Sequence, residues 1–138
     1  MINKKEEEKL FKLSKEVSEN SYSPYSKFKV GCSLIDTNGN IFTGTNIENA
    51  SYGLTNCAER SAIFSSFSGQ DKLTIDTLVV YTPTTEVTAP CGACRQVINE
   101  FSNEHTKIIL ICDNLEKIKK LTIDELLPYS FGRDDLNV

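Results

Sequence analysis

Two cysteine-bearing stretches constrain this chain more than any other feature: Asn56-Cys57-Ala58-Glu59-Arg60 and Pro90-Cys91-Gly92-Ala93-Cys94-Arg95. Cys91 and Cys94 stand three apart, so at the start of a helix their sulfurs lie on one face and can converge on one ion. Cys57 and Glu59 stand only two apart, and a regular helix would turn them away from each other. They share a cavity if Cys57 sits at the very start of a helix, where the backbone is not yet helical. Asn56 is a favoured capping residue, Glu59 to Ile63 continue helically, and Pro90 suits the entry of a second helix. Two helix N-termini are therefore expected to meet with three cysteines between them, where free N–H groups and the macrodipole stabilise thiolates.

Three thiolates on Zn²⁺ leave a fourth position open, which a catalytic zinc needs and a structural zinc lacks. They also leave an excess of negative charge, and Arg60 and Arg95, each just beyond a ligand, are expected to offset it by hydrogen-bonding to sulfur. A structural site is the alternative if Cys32, Cys112 or His105 closes the set, and a redox Cys-x-x-Cys pair is another. Glu59 favours catalysis, because a carboxylate beside a metal ligand is what a proton shuttle requires.

At 138 residues the chain is expected to be a single domain, 1–138, with a core large enough to need no staples. Its 15 Lys and Arg against 19 Asp and Glu give a net charge of −4, which argues against a nucleic-acid partner. The first residues are charged, and no later run approaches the roughly eighteen apolar residues of a membrane span, so no membrane partner is expected. Five cysteines, an odd number, argue against a secreted disulfide framework and point to a reducing cytoplasm.

Leu10, Leu13 and Val17 mark an amphipathic helix over residues 4–20. Phe28 to Asp36, Asn38-Gly39 and Ile41 to Ile47 read as a β-hairpin, with Cys32 a small buried hydrophobe. Asn46 and Glu48, two apart on extended chain, emerge on one face and suit a sugar hydroxyl; polar stitching of a strand end is the plainer alternative. The first cysteine helix runs to about Phe67, a buried strand spans Ile75 to Tyr81, and the second cysteine helix runs to about Glu104 with Val97, Ile98 and Phe101 inward. Lys107 to Cys112 is another buried strand. The connection after Asp113 is too short for a crossover, so Lys117 to Leu121 is expected to pair antiparallel with it. Thr122 to Leu127 carries a Thr-x-x-Glu capping box and stops at Pro128. The order suggests α/β architecture, a mixed sheet of about five strands with helices on both faces.

Tyr25-Ser26-Lys27-Phe28-Lys29-Val30-Gly31, Asn46-Ile47-Glu48-Asn49-Ala50, Cys57-Ala58-Glu59-Arg60 and Pro90-Cys91-Gly92-Ala93-Cys94-Arg95-Gln96, taken together and in order, resemble the small homotetrameric cytidine deaminases of Cys₃-zinc type. The resemblance implies the three-layer α/β/α cytidine deaminase-like fold and one zinc per subunit on Cys57, Cys91 and Cys94. It implies that Glu59 relays a proton from the attacking water to N3 of cytosine and assists departure of ammonia. It places the Ala58 N–H at the base carbonyl, Phe28 against the base, Asn46 and Glu48 at the ribose 3′-hydroxyl, and Phe131 over the base of a neighbouring subunit. Cys32 and Ser33 stand where the family often has alanines. The implied activity is hydrolytic deamination of cytidine and 2′-deoxycytidine in pyrimidine salvage, in the cytoplasm. Glu48 near the sugar, the acidic balance of the chain and the short connection after Asp113 point to a free nucleoside rather than a nucleotide or polynucleotide. Another aminopyrimidine nucleoside, such as blasticidin S, is the alternative substrate.

Overall fold

Alternation along the strands decides the layering of this chain, which a computed structural model describes over residues 1–138. In β3 (Ile75–Tyr81) Leu78 and Val80 point to one face of the sheet while Val79 and Tyr81 point to the other. In β4 (Lys107–Ile111) Ile108 and Leu110 join the first face, and Ile109 and Ile111 join the second. The two strands run parallel with Leu78 beside Ile108 and Val80 beside Leu110. Parallel pairing needs both faces covered, which explains why these strands read as unbroken apolar runs.

β1 (Gly31–Asp36) pairs antiparallel with β3 and with β2 (Ile41–Thr45), and β5 (Lys119–Thr122) pairs antiparallel with β4. The five-stranded sheet has the order β2-β1-β3-β4-β5. α1 (Lys4–Ser18), capped by Asn3 through a reciprocal bond pair with Glu6, covers one face by burying Leu10 against Ile35, Val79 and Ile109. α2 (Ala58–Ser65), α3 (Gly92–Glu100) and α4 (Ile123–Leu126) cover the other, with Ala62, Ile63, Ile98 and Leu126 in its core. The result is the expected three-layer α/β/α arrangement on a mixed sheet. α3 is the crossover between parallel strands, and the Thr122–Glu125 capping box of α4 is formed as expected.

Several boundaries differ from expectation. β1 starts at Gly31, because Phe28 to Val30 leave the sheet and are held by the side chain of Asn46. β2 ends at Thr45, β4 at Ile111, and α3 stops at Glu100 rather than near Glu104. β5 starts two residues later and ends one residue later than the predicted strand. No helix is long and apolar enough to cross a membrane.

Two glycines set how closely the helices approach the sheet. A Cβ on Gly31 would lie 1.8 Å from the Ser14 carbonyl oxygen of α1, and one on Gly44 would lie 2.2 Å from the Ala62 nitrogen of α2. Gly44→Ala is therefore expected to push α2 off β2 and to cost about 1–3 kcal/mol, the range for overpacking. A lowered thermal midpoint is the readout, and a midpoint equal to wild type would contradict the close approach.

Candidate active site

Both cysteine stretches place a cysteine in the cap position of a helix. Cys57 precedes α2 with φ −78° and ψ 159°, and Cys91 precedes α3 with φ −67° and ψ 166°. The extended cap turns each sulfur back across its helix N-terminus, and neither side chain takes a capping hydrogen bond. Asn56, expected as the cap, instead donates from Nδ2 to Ser61 Oγ at 3.2 Å. It lies outside the cap because it belongs to an antiparallel bridge with Ile47, whose two backbone bonds of 2.9 Å set the start of α2 beside the end of β2. α3 begins where the chain returns from the carboxyl end of β3, the end at which open α/β sheets present ligand sites.

The sulfurs of Cys57, Cys91 and Cys94 lie within 4.8 Å of one another, with Cys57 and Cys91 3.9 Å apart. Tetrahedral thiolates about 2.3 Å from zinc stand about 3.8 Å apart, so the donor set fits a zinc ion with little movement. No fourth protein donor joins them. Cys32 is fully buried in the sheet core, the Cys112 thiol faces the carbonyls of Asn114 and Lys117, and His105 is exposed beside Glu104.

The charge balance of the cluster rests on Arg60. Its Nη2 donates to Cys57 Sγ at 3.2 Å, while its Nε is buried without a partner. A hydrogen bond from the Cys94 thiol and the Arg60 guanidinium pull the Cys57 thiol down to about 5. That shared proton, together with burial, pushes the Cys94 thiol well up, and the thiolate beside it raises Arg60 further. A cation with one unsatisfied N–H beside three sulfurs matches a metal–thiolate group carrying excess negative charge. Arg60→Gln is expected to lower zinc affinity or turnover about 10- to 100-fold, as loss of an outer partner does at other metal sites. Wild-type zinc binding and wild-type turnover in that variant would dismiss the role.

The expectation for Arg95 is corrected. Its Nε donates to the Pro90 carbonyl and its Nη1 to the Leu126 carbonyl, each at 2.8 Å. Leu126 ends α4, whose last carbonyls lack helical partners, and a guanidinium fork satisfies one of them more directly than it could reach a sulfur. Arg95 therefore ties the end of α4 to the entry of α3.

Glu59, in the first turn of α2, is 4% exposed and faces the same cavity as the sulfurs. Burial pushes its carboxyl above the usual carboxylate range. The cavity has a volume of about 380 Å³, with Phe28, Val30 and Ala58 supplying apolar wall and Asn46 and Glu48 supplying polar edge. A larger polar cleft of about 560 Å³ between the end of α3 and the C-terminal turn contains none of these residues.

Asn46 and Glu48 spend most of their hydrogen-bonding capacity on their own chain. Asn46 Oδ1 accepts from Ser21 Oγ and the Val30 amide, and its Nδ2 donates to the Phe28 carbonyl at 2.7 Å. Glu48 Oε1 accepts the amides of Tyr25 and Ser26 at 3.0 and 3.1 Å, and Oε2 accepts the Ser26 hydroxyl. Polar stitching is thus real at this strand end, yet one Asn46 N–H and one Glu48 acceptor site stay free. Phe131 does not line this chain's cavity; the residue is 59% exposed, and its carbonyl accepts from Gln96 and Asn99 of α3. Thr55, Val80, Thr82 and Thr88 line the cavity without having been singled out from sequence, since nothing in their local pattern marks them.

Comparison with known proteins places this geometry. The sequence model of the family described as "Cytidine and deoxycytidylate deaminase zinc-binding region" matches residues 4–111. A cytidine deaminase of Halalkalibacterium halodurans is 43% identical over 129 residues, covering 93% of this chain and 96% of that protein. One from Mycoplasma pneumoniae is 46% identical over 117 residues, covering 84% of this chain and 86% of that one. The crystal structure of cytidine deaminase from Burkholderia pseudomallei superposes with a TM-score of 0.84 at 38% identity, over 90% of this chain and 98% of that one. Three cysteines converging at two helix N-termini, a buried glutamate beside them and likeness over nearly the whole length lead to one assignment: this chain belongs to the cytidine and deoxycytidylate deaminase family.

Proposed function

We propose that this chain is a zinc-dependent enzyme that hydrolyses cytidine and 2′-deoxycytidine to uridine and 2′-deoxyuridine with release of ammonia. The observation that carries the reading is Glu59, a carboxylate buried in the same cavity as three convergent sulfurs that lack a fourth protein ligand. Cys57, Cys91 and Cys94 would hold one zinc per chain, and the bound ion supplies Lewis-acid activation of water. Water forms a bond to C4, N3 takes up a proton, the C4–N4 bond breaks, and N4 leaves as ammonia. Glu59 serves both transfers: it takes one proton from the attacking water and gives it to N3, then takes the second from the hydroxyl now on C4 and gives it to the departing amine, leaving the C4 carbonyl. Burial raises the carboxyl above the usual carboxylate range, which strengthens it as the acceptor of those protons.

The first N–H groups of α2, Ala58 among them, have no partner within the helix and are available to the base carbonyl. Phe28 forms the wall against which the base packs. The free N–H of Asn46 and the free acceptor of Glu48 together match one hydroxyl, which both donates and accepts. One hydroxyl is the 3′-hydroxyl shared by ribose and deoxyribose, and this supports both nucleosides as substrates. A carboxylate at that edge disfavours a phosphate.

A homotetramer completes the reading. Phe131 lies outside its own chain's cavity, and Tyr52, Leu54 and Phe64 leave large apolar side chains exposed at 75%, 71% and 51%. A neighbour seated there would cover them and lend Phe131 to the next site. Sheet, cores and cavity belong to one catalytic domain, and five unpaired thiols suit the cytoplasm, where pyrimidine salvage operates.

The test is the ultraviolet absorbance of cytidine, 2′-deoxycytidine, CMP and blasticidin S mixed separately with zinc-loaded protein, with ammonia release as a check. Turnover of the two nucleosides with CMP far slower is the expected result. No conversion of either nucleoside by protein carrying one zinc per chain would overturn it.

A further inference from the structure

We propose that Ser26 is a positioning residue for nucleoside recognition: its hydroxyl, oriented by the Phe28 amide, holds the Glu48 carboxylate so that one acceptor site faces the sugar. This rests on the reading of Glu48 as the acceptor of the 3′-hydroxyl.

Three observations carry it. The Phe28 N–H donates to Ser26 Oγ at 3.0 Å, so the hydroxyl's own proton is left to point elsewhere, and it is donated to Glu48 Oε2. The Ser26 and Tyr25 amides occupy Glu48 Oε1. Three of the roughly four acceptor sites of the carboxylate are thereby filled by one turn of chain, and the last lies on the oxygen that Ser26 orients. The carboxylate is held below the usual range chiefly by the Ser26 hydroxyl, so the acceptor is charged as well as fixed.

The turn itself is built for this. Lys27 adopts φ 59°, a left-handed conformation that a residue with a Cβ rarely takes, and the Lys27 amide bonds to the Ser23 carbonyl at 2.9 Å. In this turn the successive amides of Tyr25 and Ser26 and the Ser26 hydroxyl converge on one carboxylate. Ser26 and Glu48 both line the cavity that contains Glu59 and the cysteines, so the arrangement acts at the sugar end of the same site. Ser26 itself touches neither the cysteines nor Glu59.

The experiment compares cytidine with 3′-deoxycytidine in zinc-loaded wild type and in Ser26→Ala. Wild type is expected to prefer cytidine clearly. In Ser26→Ala, kcat/KM for cytidine is expected to fall about tenfold or more, through KM, which is the scale for one hydrogen bond to a charged group. The same parameter for 3′-deoxycytidine should change less than about threefold, because that substrate has no hydroxyl for Glu48 to receive. An equal loss on both substrates would mark a general disturbance of the loop and overturn the assignment of Ser26 alone. Unchanged cytidine kinetics would overturn it as well. Equal turnover of both substrates by wild type would instead overturn the sugar reading of Glu48, and the Ser26 assignment with it.

Discussion

Glu59→Gln is expected to lower kcat about 10²- to 10⁴-fold, the range attributable to a positioned proton carrier, while zinc content stays at wild type. Glutamine keeps the shape of the side chain and loses the capacity to take up and release a proton. The cavity and its cysteines therefore persist, and KM for cytidine is expected to change far less than kcat. The same substitution has a predictable sign on stability. The Glu59 carboxyl is raised above its unfolded value by burial, so the metal-free folded state binds its proton more tightly than the unfolded chain does. The folded state is then penalised as pH rises through the unfolded value towards the raised one, and above both the penalty is complete. Metal-free Glu59→Gln should therefore melt higher than metal-free wild type at pH 7. Retention of turnover within tenfold would remove Glu59 from the proton transfers; a lower metal-free melting temperature would contradict the burial argument.

Stripping the metal is expected to abolish turnover reversibly, and the zinc affinity recovered on reloading should depend on pH in a defined way. In the metal-free chain Cys57 is pulled down to about 5 and Cys94 is pushed well up, so near pH 7 the first is a thiolate and the second a thiol. Binding must expel the Cys94 proton but none from Cys57. Apparent affinity should thus rise at least tenfold per pH unit between about pH 6 and 8, and steepen below about pH 5 as Cys57 begins to compete for protons. Competition against a chromophoric chelator at three pH values measures the slope, and a flat profile would refute the assignment of the proton to Cys94. Free zinc at a hundred times its Kd should add about 2.7 kcal/mol to the folded state, visible as a raised melting temperature.

The parts of this molecule that were legible from sequence are those decided locally. Leu78-Val79-Val80 could be placed in a central strand because a run buried on both faces has few other uses, and Ile75–Tyr81 is the strand observed. The capping box of α4 needed only Thr122 and Glu125. The cysteine cluster was legible because its donor chemistry restricts spacing so strongly. Features decided by distant contacts were not. Arg95 is drawn to the carbonyl of Leu126, 31 residues away, and neither residue advertises that meeting. Asn56 has the chemistry of a cap, yet its pairing with Ile47 claims it first. Phe28 to Val30 have strand composition, but the Asn46 side chain takes the hydrogen-bonding groups that a neighbouring strand would have used. The close approaches at Gly31 and Gly44 are invisible until the helices are laid on the sheet.

The split origin of the sulfurs has a consequence for how the molecule is made. Cys91 and Cys94 lie within one helical turn, whereas Cys57, 34 residues before Cys91, and Glu59 come from an earlier helix. The third sulfur and the carboxylate reach the ion only when α2 and α3 have both settled on the sheet, which requires β3 to be seated between β1 and β4. Completion of the metal site is therefore coupled to completion of the fold. Full zinc affinity is thus a property of the finished fold, and the resistance of the bound ion to a chelator reports that both helices are seated.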